Sequence, residues 1–399
     1  MNVDLISEHA DPLAAIGSVD SGGQNVYVAA LAVALGERGH TVVVHTRRSD
    51  PAQPDSVPLA PGVTVEYVTA GPAVPIPKDE LPRYMPEFTD RLADRWAVRR
   101  PDVAHAHFWM SGQAALQATE DVPVVQTFHA LGTVKRRWQG PADTSPAHRL
   151  ATEREVGARA DAVLATCGDE VNELRAMGVP EQRIAVVPCG VDLTEFCPQG
   201  PLAPRVGAST RRPMVLSIGR QVPRKGVDTV VQAMRRLPEA DLVIAGGHRD
   251  GEESARLREL AAGCGVGDRV HVIGSVPRAH VPALMRSADV VVCVPWYEPF
   301  GMVAVEAMAC GVPVVASGVG GHLDTVAGCG VLVPPRRPRA LARALRDLLA
   351  DEDRREAIGA AGVRRAQERY GWARVAEQTE AVYEQVIAGK VYRLAALGG

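Results

Sequence analysis

The sequence predicts an α/β protein built from two Rossmann-like domains. Short runs of β-branched residues alternate with helical stretches along most of the 399 residues, and this alternation is typical of parallel sheets. It is interrupted once, by an aperiodic segment rich in proline and glycine from Pro198 to Pro213, and then resumes. A second α/β series after such a break predicts a second domain, and the length is suited to two or three domains.

The first domain is expected to span residues 1–198. Its apolar runs predict strands near Val3–Ser7, Thr41–Thr46, Val63–Val68, Val103–Ala106, Val122–Thr127, Ala162–Thr166 and Ile184–Val187. The intervening stretches predict helices near Asn25–Arg38, Met85–Arg99, Gly112–Thr119, Ala147–Arg159 and Gly168–Met177. Because helices separate most of the strands, we expect the strands to pair in parallel.

A linker at residues 199–213 is expected to join this domain to a second one at residues 214–371. The second series predicts strands near Met214–Ile218, Leu242–Ala245, Val270–Ile273, Val290–Val294, Val314–Ala316 and Gly330–Val333. Several charged helices follow, from Arg339 to about Ala388. Periodicity alone does not assign the last of them to either domain.

Composition and charge exclude several classes of partner. The net charge of -3 and the pI of about 6.4 argue against nucleic acid or an anionic membrane as the main partner. No apolar run approaches the roughly 18 residues that span a bilayer, so we expect no integral membrane contact. Acidic residues in the N-terminal stretch, at Asp4, Glu8 and Asp11, are unlike a signal peptide. A cytoplasmic protein is therefore expected.

No metal site is predicted. The seven cysteines show no C-x-x-C pair and are expected to be reduced core residues. His105 and His107 share one face of a strand without a nearby carboxylate, which favours packing over metal binding. Asp351 and Asp353 match D-x-D, but they lie between two C-terminal helices, far in sequence from the other motifs.

The strongest chemical signal is a pair of glutamates in the second domain. Glu298 follows an apolar strand, Gly301 opens a helix, and Glu306 lies eight positions after Glu298. Parallel sheets bind ligands at the carboxyl ends of their strands, and the next helix offers free N–H groups to anions. This spacing is suited to a sugar joined through phosphates to a ribose. The alternative for each glutamate is a loop carboxylate or a helix-dipole partner.

Two cations follow the first strand of the same domain. Arg220 and Lys225 stand on the loop that ends this strand, where each charge-assisted hydrogen bond to a diphosphate contributes about 1.5–3 kcal/mol. A solvated basic loop is the alternative. The glutamates at the same sheet edge favour a binding site.

Three features of the first domain suggest a second half of the site. Gly22 and Gly23 lie on a turn between a strand and a helix, where the backbone can approach a substrate closely. His129 closes another strand and can donate to a sugar hydroxyl, although a buried structural histidine is the alternative. The cations Lys78, Lys135 and Arg149 suit an anionic acceptor, with solvated surface charge as the alternative, which we prefer for the neighbouring Arg136 and Arg137.

Taken together, these motifs resemble family 4 of the retaining glycosyltransferases, which have the GT-B fold. The resemblance extends over nearly the whole chain and rests on Gly22–Tyr27, His105–Trp109, His129–Gly132, Gly219-Arg220, Lys225-Gly226 and the Glu298/Glu306 pair. Within the family the chain is most similar to the group of sucrose-phosphate synthases and the mycothiol-pathway N-acetylglucosaminyltransferase. The resemblance implies two Rossmann-like domains that face a central cleft, with a C-terminal helix, about 372–399, crossing back to the first domain.

The resemblance also implies roles for individual residues. Catalytic roles fall to His129, Arg220, Lys225 and Glu298, with His129 in contact with the transferred sugar. The implied donor-binding residues are Gly22, Gly23, Arg220, Lys225, Gly246, Val276, Glu298, Phe300, Gly301, Met302, Val303 and Glu306. The implied acceptor-binding residues are Gln24, Asn25, Lys78, Phe108, Lys135 and Arg149. The chain departs from some phosphate-acceptor relatives at Phe108 and Ala130, where those relatives carry hydroxyl groups.

The expected activity is transfer of a hexose-type sugar, with retention, from a nucleoside diphosphate sugar to a hydroxyl of a small polar acceptor. A UDP-sugar is favoured, and sugar phosphates and cyclitol phosphates are among the candidate acceptors. No obligatory cofactor is expected. The alternatives are a nucleotide-sugar epimerase on the same scaffold and a non-catalytic subunit. The sequence does not define the oligomeric state.

Overall fold

The computed structural model describes residues 1–14, 23–206 and 212–397, with side chains to residue 389. The chain divides into two compact units. Unit 1 comprises Met1–Gly190 and Trp372–Gly399, and unit 2 comprises Val191–Gly371. One predicted site residue, Gly22, lies outside the described residues, as does part of the predicted linker.

Unit 1 is an α/β sandwich. In its described part, eight strands form one sheet in the order β3-β4-β2-β1-β5-β6-β7-β8, and only β3 pairs antiparallel. The strands are β1 Asn2–Ile6, β2 Thr41–Arg47, β3 Ser56–Ala60, β4 Val63–Val68, β5 Val103–His107, β6 Val124–Thr127, β7 Ala162–Ala165 and β8 Ile184–Val186. The helices are α1 Gly23–Glu37, α2 Met85–Val98, α3 Trp109–Ala118, α4 Gly132–Gln139, α5 Arg149–Arg159 and α6 Gly168–Met177.

Unit 2 contains a smaller parallel sheet. Its described strands have the order β11-β10-β9-β12-β13-β14. They are β9 Met214–Ile218, β10 Asp241–Ala245, β11 Val270–Gly274, β12 Val290–Cys293, β13 Val314–Ser317 and β14 Val331–Val333. The helices are α7 Val227–Ala233, α8 Glu252–Gly263, α9 Val281–Arg286, α10 Met302–Ala309, α11 His322–Thr325, α12 Pro338–Leu349 and α13 Glu352–Arg369. A core of valine, leucine and alanine from the strands and helices fills this unit.

The C-terminal helix α14, Trp372–Leu397, belongs to unit 1. The Tyr383 hydroxyl lies 2.7 Å from His105 Nδ1 on β5, and the Trp372 ring packs 5.5 Å from the Tyr27 ring on α1. The helix therefore crosses back to the first unit, as the family resemblance implies. In the part of the chain that the structure describes, no helix has the length and apolarity needed to cross a bilayer.

The boundary between the units differs from the predicted one. Residues 191–198, which the sequence predicts to lie in the first domain, fall in unit 2. The side chain of Arg286 explains this, because it donates to the carbonyls of Cys197 and Pro201. The Ala203 N–H also bonds to Ala283 O on α9. The described start of the predicted linker is thus held on unit 2.

Two elements of unit 1 escaped the sequence prediction. Strand β3 contains Pro58 and lies between further prolines, a composition that is typical of a loop. Proline is tolerated here because β3 is an edge strand. Helix α4 follows His129 and carries Lys135.

In unit 2, Asp351 of the D-x-D sequence accepts a hydrogen bond of 2.9 Å from Arg354 N and caps α13.

Candidate active site

The order of the unit 2 sheet reverses between its central strands β9 and β12. At such a switch point the loops that leave the two strands diverge, which opens a crevice at their carboxyl ends. Lys225 follows β9 and Glu298 follows β12, and the structure brings them together: Lys225 Nζ lies 2.5 Å from Glu298 Oε2. Two residues that are 73 positions apart in the chain thus form an ion pair across the switch point.

A close backbone approach brings the Lys225 loop to this place. Gly226 has a φ of +72°, and a Cβ there would lie 2.1 Å from Val294 O. The Trp296 N–H also donates to Arg224 O, at 2.8 Å. Only glycine allows the loop after β9 to touch the end of β12 with this backbone conformation.

Glu298 is held as a carboxylate by its neighbours. Burial acts to raise its pKa, but Lys225 and His322 outweigh burial and lower the pKa of Glu298 below its usual range. His322 is buried, and its Nδ1 donates to Ser317 O at 3.1 Å. The backbone of Glu298 is fixed as well, because its carbonyl accepts from Gly321 N. Contacts to its carboxylate and to its backbone carbonyl therefore orient the ionised Glu298.

Glu306 lies on α10 and has a different partner. Its Oε1 is 2.7 Å from Arg278 Nη1, and the Arg278 guanidinium stacks over the Phe196 ring at 4.4 Å. Burial raises the pKa of Glu306, and Arg278 partly offsets this effect. Sequence reasoning missed Arg278, since nothing in its local sequence links it to the glutamate.

Cys293 is the last residue of β12, the strand that precedes Glu298. Burial raises the pKa of this thiol to about 12, and the charges of Lys225, Glu298 and Glu306 all act on it. Three of the four predicted charged residues therefore act electrostatically on the same thiol. The fourth, Arg220, lies exposed on the loop that follows β9.

The other residues of unit 2 that are predicted to bind the donor follow strands of the same sheet. Gly301 caps α10 with a φ of +98°, and Phe300 beneath it is buried. Met302 and Val303 form the half-buried first turn of α10. Gly246 follows β10, and Val276 follows β11. All ten donor-binding residues predicted in unit 2 thus lie in the loops that follow β9, β10, β11 and β12 or in helix α10.

Unit 1 shows backbone strain at the ends of two neighbouring strands. Phe108, after β5, has a φ of +82°, and His129, after β6, has a φ of +60°. Left-handed backbone is uncommon for residues other than glycine and clusters at functional sites. Both residues were predicted to contact substrate.

A group of buried histidines lies behind His129. His107 Nδ1 is 3.0 Å from His129 Nε2, and the ring of His105 packs 4.2 Å from that of His107. His105 is itself bonded on both ring nitrogens, to Thr127 Oγ1 and the Tyr383 hydroxyl. Burial lowers the pKa of His105 and of His129 to about 3, and that of His107 well below its usual value. All three rings are neutral at neutral pH.

Two of the predicted acceptor cations lie at the Phe108 ring. The Arg149 guanidinium lies 4.9 Å from the ring centroid and Lys78 Nζ lies 5.7 Å from it. Arg149 is only 2% exposed, and its guanidinium donates to Glu153 Oε1, Ser145 Oγ and Ala130 O. Phe108 is therefore a platform on which two cations are positioned.

Lys135 joins the same group through the loop before α5. Its Nζ lies 2.9 Å from Ser145 Oγ, which also accepts from Arg149, and 3.0 Å from Asp143 Oδ1. Although burial acts to raise the pKa of Asp143, hydrogen bonds from Ser145 and Lys135 lower it to about 2. Sequence reasoning missed Asp143, Ser145 and Glu153, which orient the cations.

The start of α1 connects the loops of β1 and β5, between which the unit 1 sheet reverses. Gly23 is its first residue. Gln24 Nε2 lies 3.3 Å from both Ser7 Oγ and His107 O, and buried Asn25 donates to Asp11 O at 2.9 Å. The side chains of Gln24 and Asn25 are thus engaged with backbone and loop atoms of unit 1 itself.

Comparison with known proteins shows the family to which this chain belongs. Residues 21–195 match the model of Glycosyltransferase Family 4, and residues 202–365 match that of Glycosyl transferases group 1. The D-inositol 3-phosphate glycosyltransferase of Xylanimonas cellulosilytica is 42% identical, with 96% of each chain covered. The chain belongs to glycosyltransferase family 4.

Solved structures of glycosyltransferases show the same fold. Sucrose-phosphate synthase from Thermosynechococcus elongatus is 33% identical, has a TM-score of 0.89, and is matched over 98% of this chain and 100% of its own. HepE of Anabaena, solved with UDP and glucose, has a TM-score of 0.74 at 20% identity, with 96% of this chain and 99% of its own covered. The predicted GT-B fold and the predicted resemblance within family 4 are confirmed, and the protein is a glycosyltransferase.

Proposed function

We propose that this family 4 glycosyltransferase transfers a hexose-type sugar from a UDP-sugar to a hydroxyl of a small phosphorylated acceptor, with retention of the anomeric configuration. Among phosphorylated acceptors we favour a cyclitol phosphate. The observation that carries the proposal is the ion pair of Lys225 and Glu298 across the switch point of the unit 2 sheet. Glu306 is buried on α10, the helix that follows. A cation paired with one carboxylate, and a second carboxylate on the next helix, suit a ligand that combines phosphate with hydroxyl groups. The family relatives give no support to an epimerase or a non-catalytic subunit.

In this proposal the residues of unit 2 bind the donor. Arg220 and Lys225 hold the diphosphate, and Glu306 accepts hydrogen bonds from the ribose hydroxyls. Glu298, with the backbone of Phe300–Val303, holds the transferred sugar. Gly246 and Val276 lie beside the base. Glu298 is suited to its role because its lowered pKa keeps it an acceptor of hydroxyl protons.

The chemical step requires no protein nucleophile. The bond between the anomeric carbon and the diphosphate oxygen breaks, and the acceptor oxygen bonds to the same face of that carbon. The leaving diphosphate takes the proton of the acceptor hydroxyl. Arg220, Lys225 and the N-terminus of α10 stabilise the charge that grows on the diphosphate, and such electrostatic effects are usually the largest in catalysis. Because these groups supply positive charge, we propose that no metal ion is obligatory.

The residues of unit 1 bind the acceptor. Lys78 and Arg149 lie at the Phe108 ring, and Lys135 shares the Ser145 hydroxyl with Arg149. Gln24 and Asn25 lie on α1. Phe108 and Ala130 offer no hydroxyl group, so in this chain the cations would bind the phosphate. The name of the 42% identical relative specifies D-inositol 3-phosphate, which supports a cyclitol phosphate here as well.

The donor is tested by thermal denaturation with UDP, GDP, ADP and TDP. A ligand that binds only the folded state at 100 times its Kd adds about 2.7 kcal/mol to the free energy of unfolding. We expect UDP to raise the melting temperature most. A larger shift with another nucleotide would replace the UDP assignment, and the absence of any shift would contradict the proposed donor site.

The acceptor is tested by incubating UDP-sugars with D-inositol 3-phosphate and, as the matched control, with inositol that lacks the phosphate. We expect transfer only to the phosphorylated compound, with the anomeric configuration of the donor retained in the product by proton NMR. Equal transfer to both compounds would show that Lys78, Lys135 and Arg149 do not recognise the phosphate group of the acceptor. Inversion would contradict the same-face mechanism.

A further inference from the structure

The contact between His107 and His129 determines where each ring carries its proton. His107 Nδ1 lies 3.0 Å from His129 Nε2, so one of these nitrogens donates and the other accepts. His107 is fully buried. Its second nitrogen, Nε2, is also buried and has no hydrogen-bond partner among the residues that the structure describes.

The two directions of this hydrogen bond have different costs. If His129 Nε2 donates, His107 must carry its own proton on Nε2, and a buried N–H is then left without an acceptor. If His107 Nδ1 donates, the orphaned atom is an acceptor lone pair. Orphaned buried N–H groups are rarer in proteins than orphaned acceptors, which favours donation from His107. In that case His129 accepts on Nε2 and carries its proton on Nδ1.

We propose that His107 is a positioning residue that holds His129 in the tautomer protonated on Nδ1, so that the half-buried edge of His129 presents an N–H donor to a sugar hydroxyl oxygen. The tautomer follows from the geometry of unit 1 alone. The use of that donor rests on the proposed function.

The surroundings keep His107 from changing partner. The His105 ring packs 4.2 Å from it, and the Tyr27 ring packs edge-on at 5.7 Å. His105 cannot compete for His129, because both its ring nitrogens are engaged by Thr127 and Tyr383. The lowered pKa values of His107 and His129 leave one proton on each ring at neutral pH. A single tautomer is therefore defined for the pair.

The test is NMR of the full-length protein with ¹⁵N-labelled histidine, in which two-bond proton–nitrogen couplings identify the protonated ring nitrogen. The His129 signals are assigned by their loss in His129→Asn. We expect His129 to be protonated on Nδ1 in the wild type. In His107→Leu, which removes the donor, we expect His129 to shift to the Nε2 tautomer. His107→Asn places an amide N–H near the position of Nδ1 and should restore the wild-type tautomer.

The matched control is His105→Leu, a change at a buried histidine on the same strand that does not touch His129; the tautomer should not change. Protonation of His129 on Nε2 in the wild type would overturn the proposal, as would an unchanged Nδ1 tautomer in folded His107→Leu. If His107→Leu does not fold, the spectra of the wild type and of His107→Asn still show which ring nitrogen of His129 is protonated and so test the proposal. The Nδ1 tautomer in a protein without glycosyltransfer would contradict the proposed function but not this inference.

Discussion

The Lys225 ammonium and the Glu298 carboxylate are 2.5 Å apart, and they come from the loops that follow the two central strands of the unit 2 sheet. Both side chains are more than three-quarters buried, so neither charge is fully solvated. Each residue therefore depends on the other for compensation of its charge. Under the proposed mechanism, a donor diphosphate offers Lys225 a second anionic partner.

This pairing predicts a non-additive effect on stability. Lys225→Met leaves a buried carboxylate without its cation, whereas Lys225→Met combined with Glu298→Gln removes both charges. We expect the single variant to have a lower melting temperature than the double variant, because an unpaired buried charge is more costly than two neutral groups. Additive losses of unfolding free energy would contradict the pairing.

The same variant tests catalysis. Lys225→Met removes charge stabilisation of the leaving diphosphate, and loss of one such group typically lowers kcat by about 100-fold to 1,000-fold. Lys225→Arg keeps the charge and is the control for folding and donor binding. Turnover by Lys225→Met within a few-fold of the wild type would remove Lys225 from the mechanism.

The proposed acceptor site predicts a selective change in the KM for the acceptor. Lys135→Met removes a charged donor from the group around Phe108, and hydrogen bonds to charged groups contribute about 1.5–3 kcal/mol. We expect KM for the phosphorylated acceptor to rise about 10-fold or more, with donor KM unchanged. Arg136→Met, on the exposed side of the same helix, is the matched control and should leave both constants unchanged. An equal rise in the two KM values would place Lys135 outside the acceptor site.

Local sequence patterns could predict much of the fold and part of the site. Alternating strands and helices, the break after Pro198 and the Glu298/Glu306 spacing are all local, so they are readable without a structure. Strand β3 was missed because Pro58 suggests a loop, and its edge position is a property of the whole sheet. Cys197 and Pro201 are held on unit 2 by Arg286, a residue remote in sequence, so the local sequence carries no signal for this contact.

The residues that orient the site were the least predictable. Arg278 is far in sequence from Glu306, and His107 is far in sequence from His129. Each pair forms only because the fold places the two residues close together. Asp143 and Ser145 lie in a polar loop that resembles any surface turn. Pairwise contacts of this kind leave no periodic signal, whereas the charged groups they support belong to recognisable motifs.

Asp143 predicts a pH-dependent contribution to stability. Its pKa falls from 3.8 to about 2 in the folded protein, and one pKa unit corresponds to about 1.4 kcal/mol. Because the folded pKa is the lower one, the contribution is complete above about pH 4 and is lost as the pH falls through about 2. We expect Asp143→Asn to cost on the order of 2 kcal/mol at pH 7, measured by urea unfolding. The difference from the wild type should shrink below pH 4; a constant difference would show that Asp143 is not paired.

Arg278 predicts a pH-dependent donor KM. Burial already raises the pKa of Glu306, and Arg278 offsets part of this, so Arg278→Gln should raise the pKa further. A protonated Glu306 loses acceptor capacity for the ribose hydroxyls. We expect donor KM of the variant to increase as the pH falls, starting at a higher pH than in the wild type, with Arg278→Lys restoring the wild-type profile. Coincident profiles for wild type and Arg278→Gln would contradict the support of Glu306 by Arg278.

The approach of Gly226 to β12 predicts that one methyl group can displace Lys225. A Cβ at position 226 would lie 2.1 Å from Val294 O and would also require a left-handed alanine, which costs about 1–3 kcal/mol by itself. Gly39→Ala is the matched control, because Gly39 has a φ of +87° but nothing within 4 Å of a Cβ. We expect Gly226→Ala to lower both the melting temperature and kcat, whereas Gly39→Ala lowers only the melting temperature, and by less. Since Val294 O belongs to the backbone, it cannot rotate away as a side chain could. If kcat of folded Gly226→Ala equalled that of Gly39→Ala, the position of Lys225 would not depend on this contact.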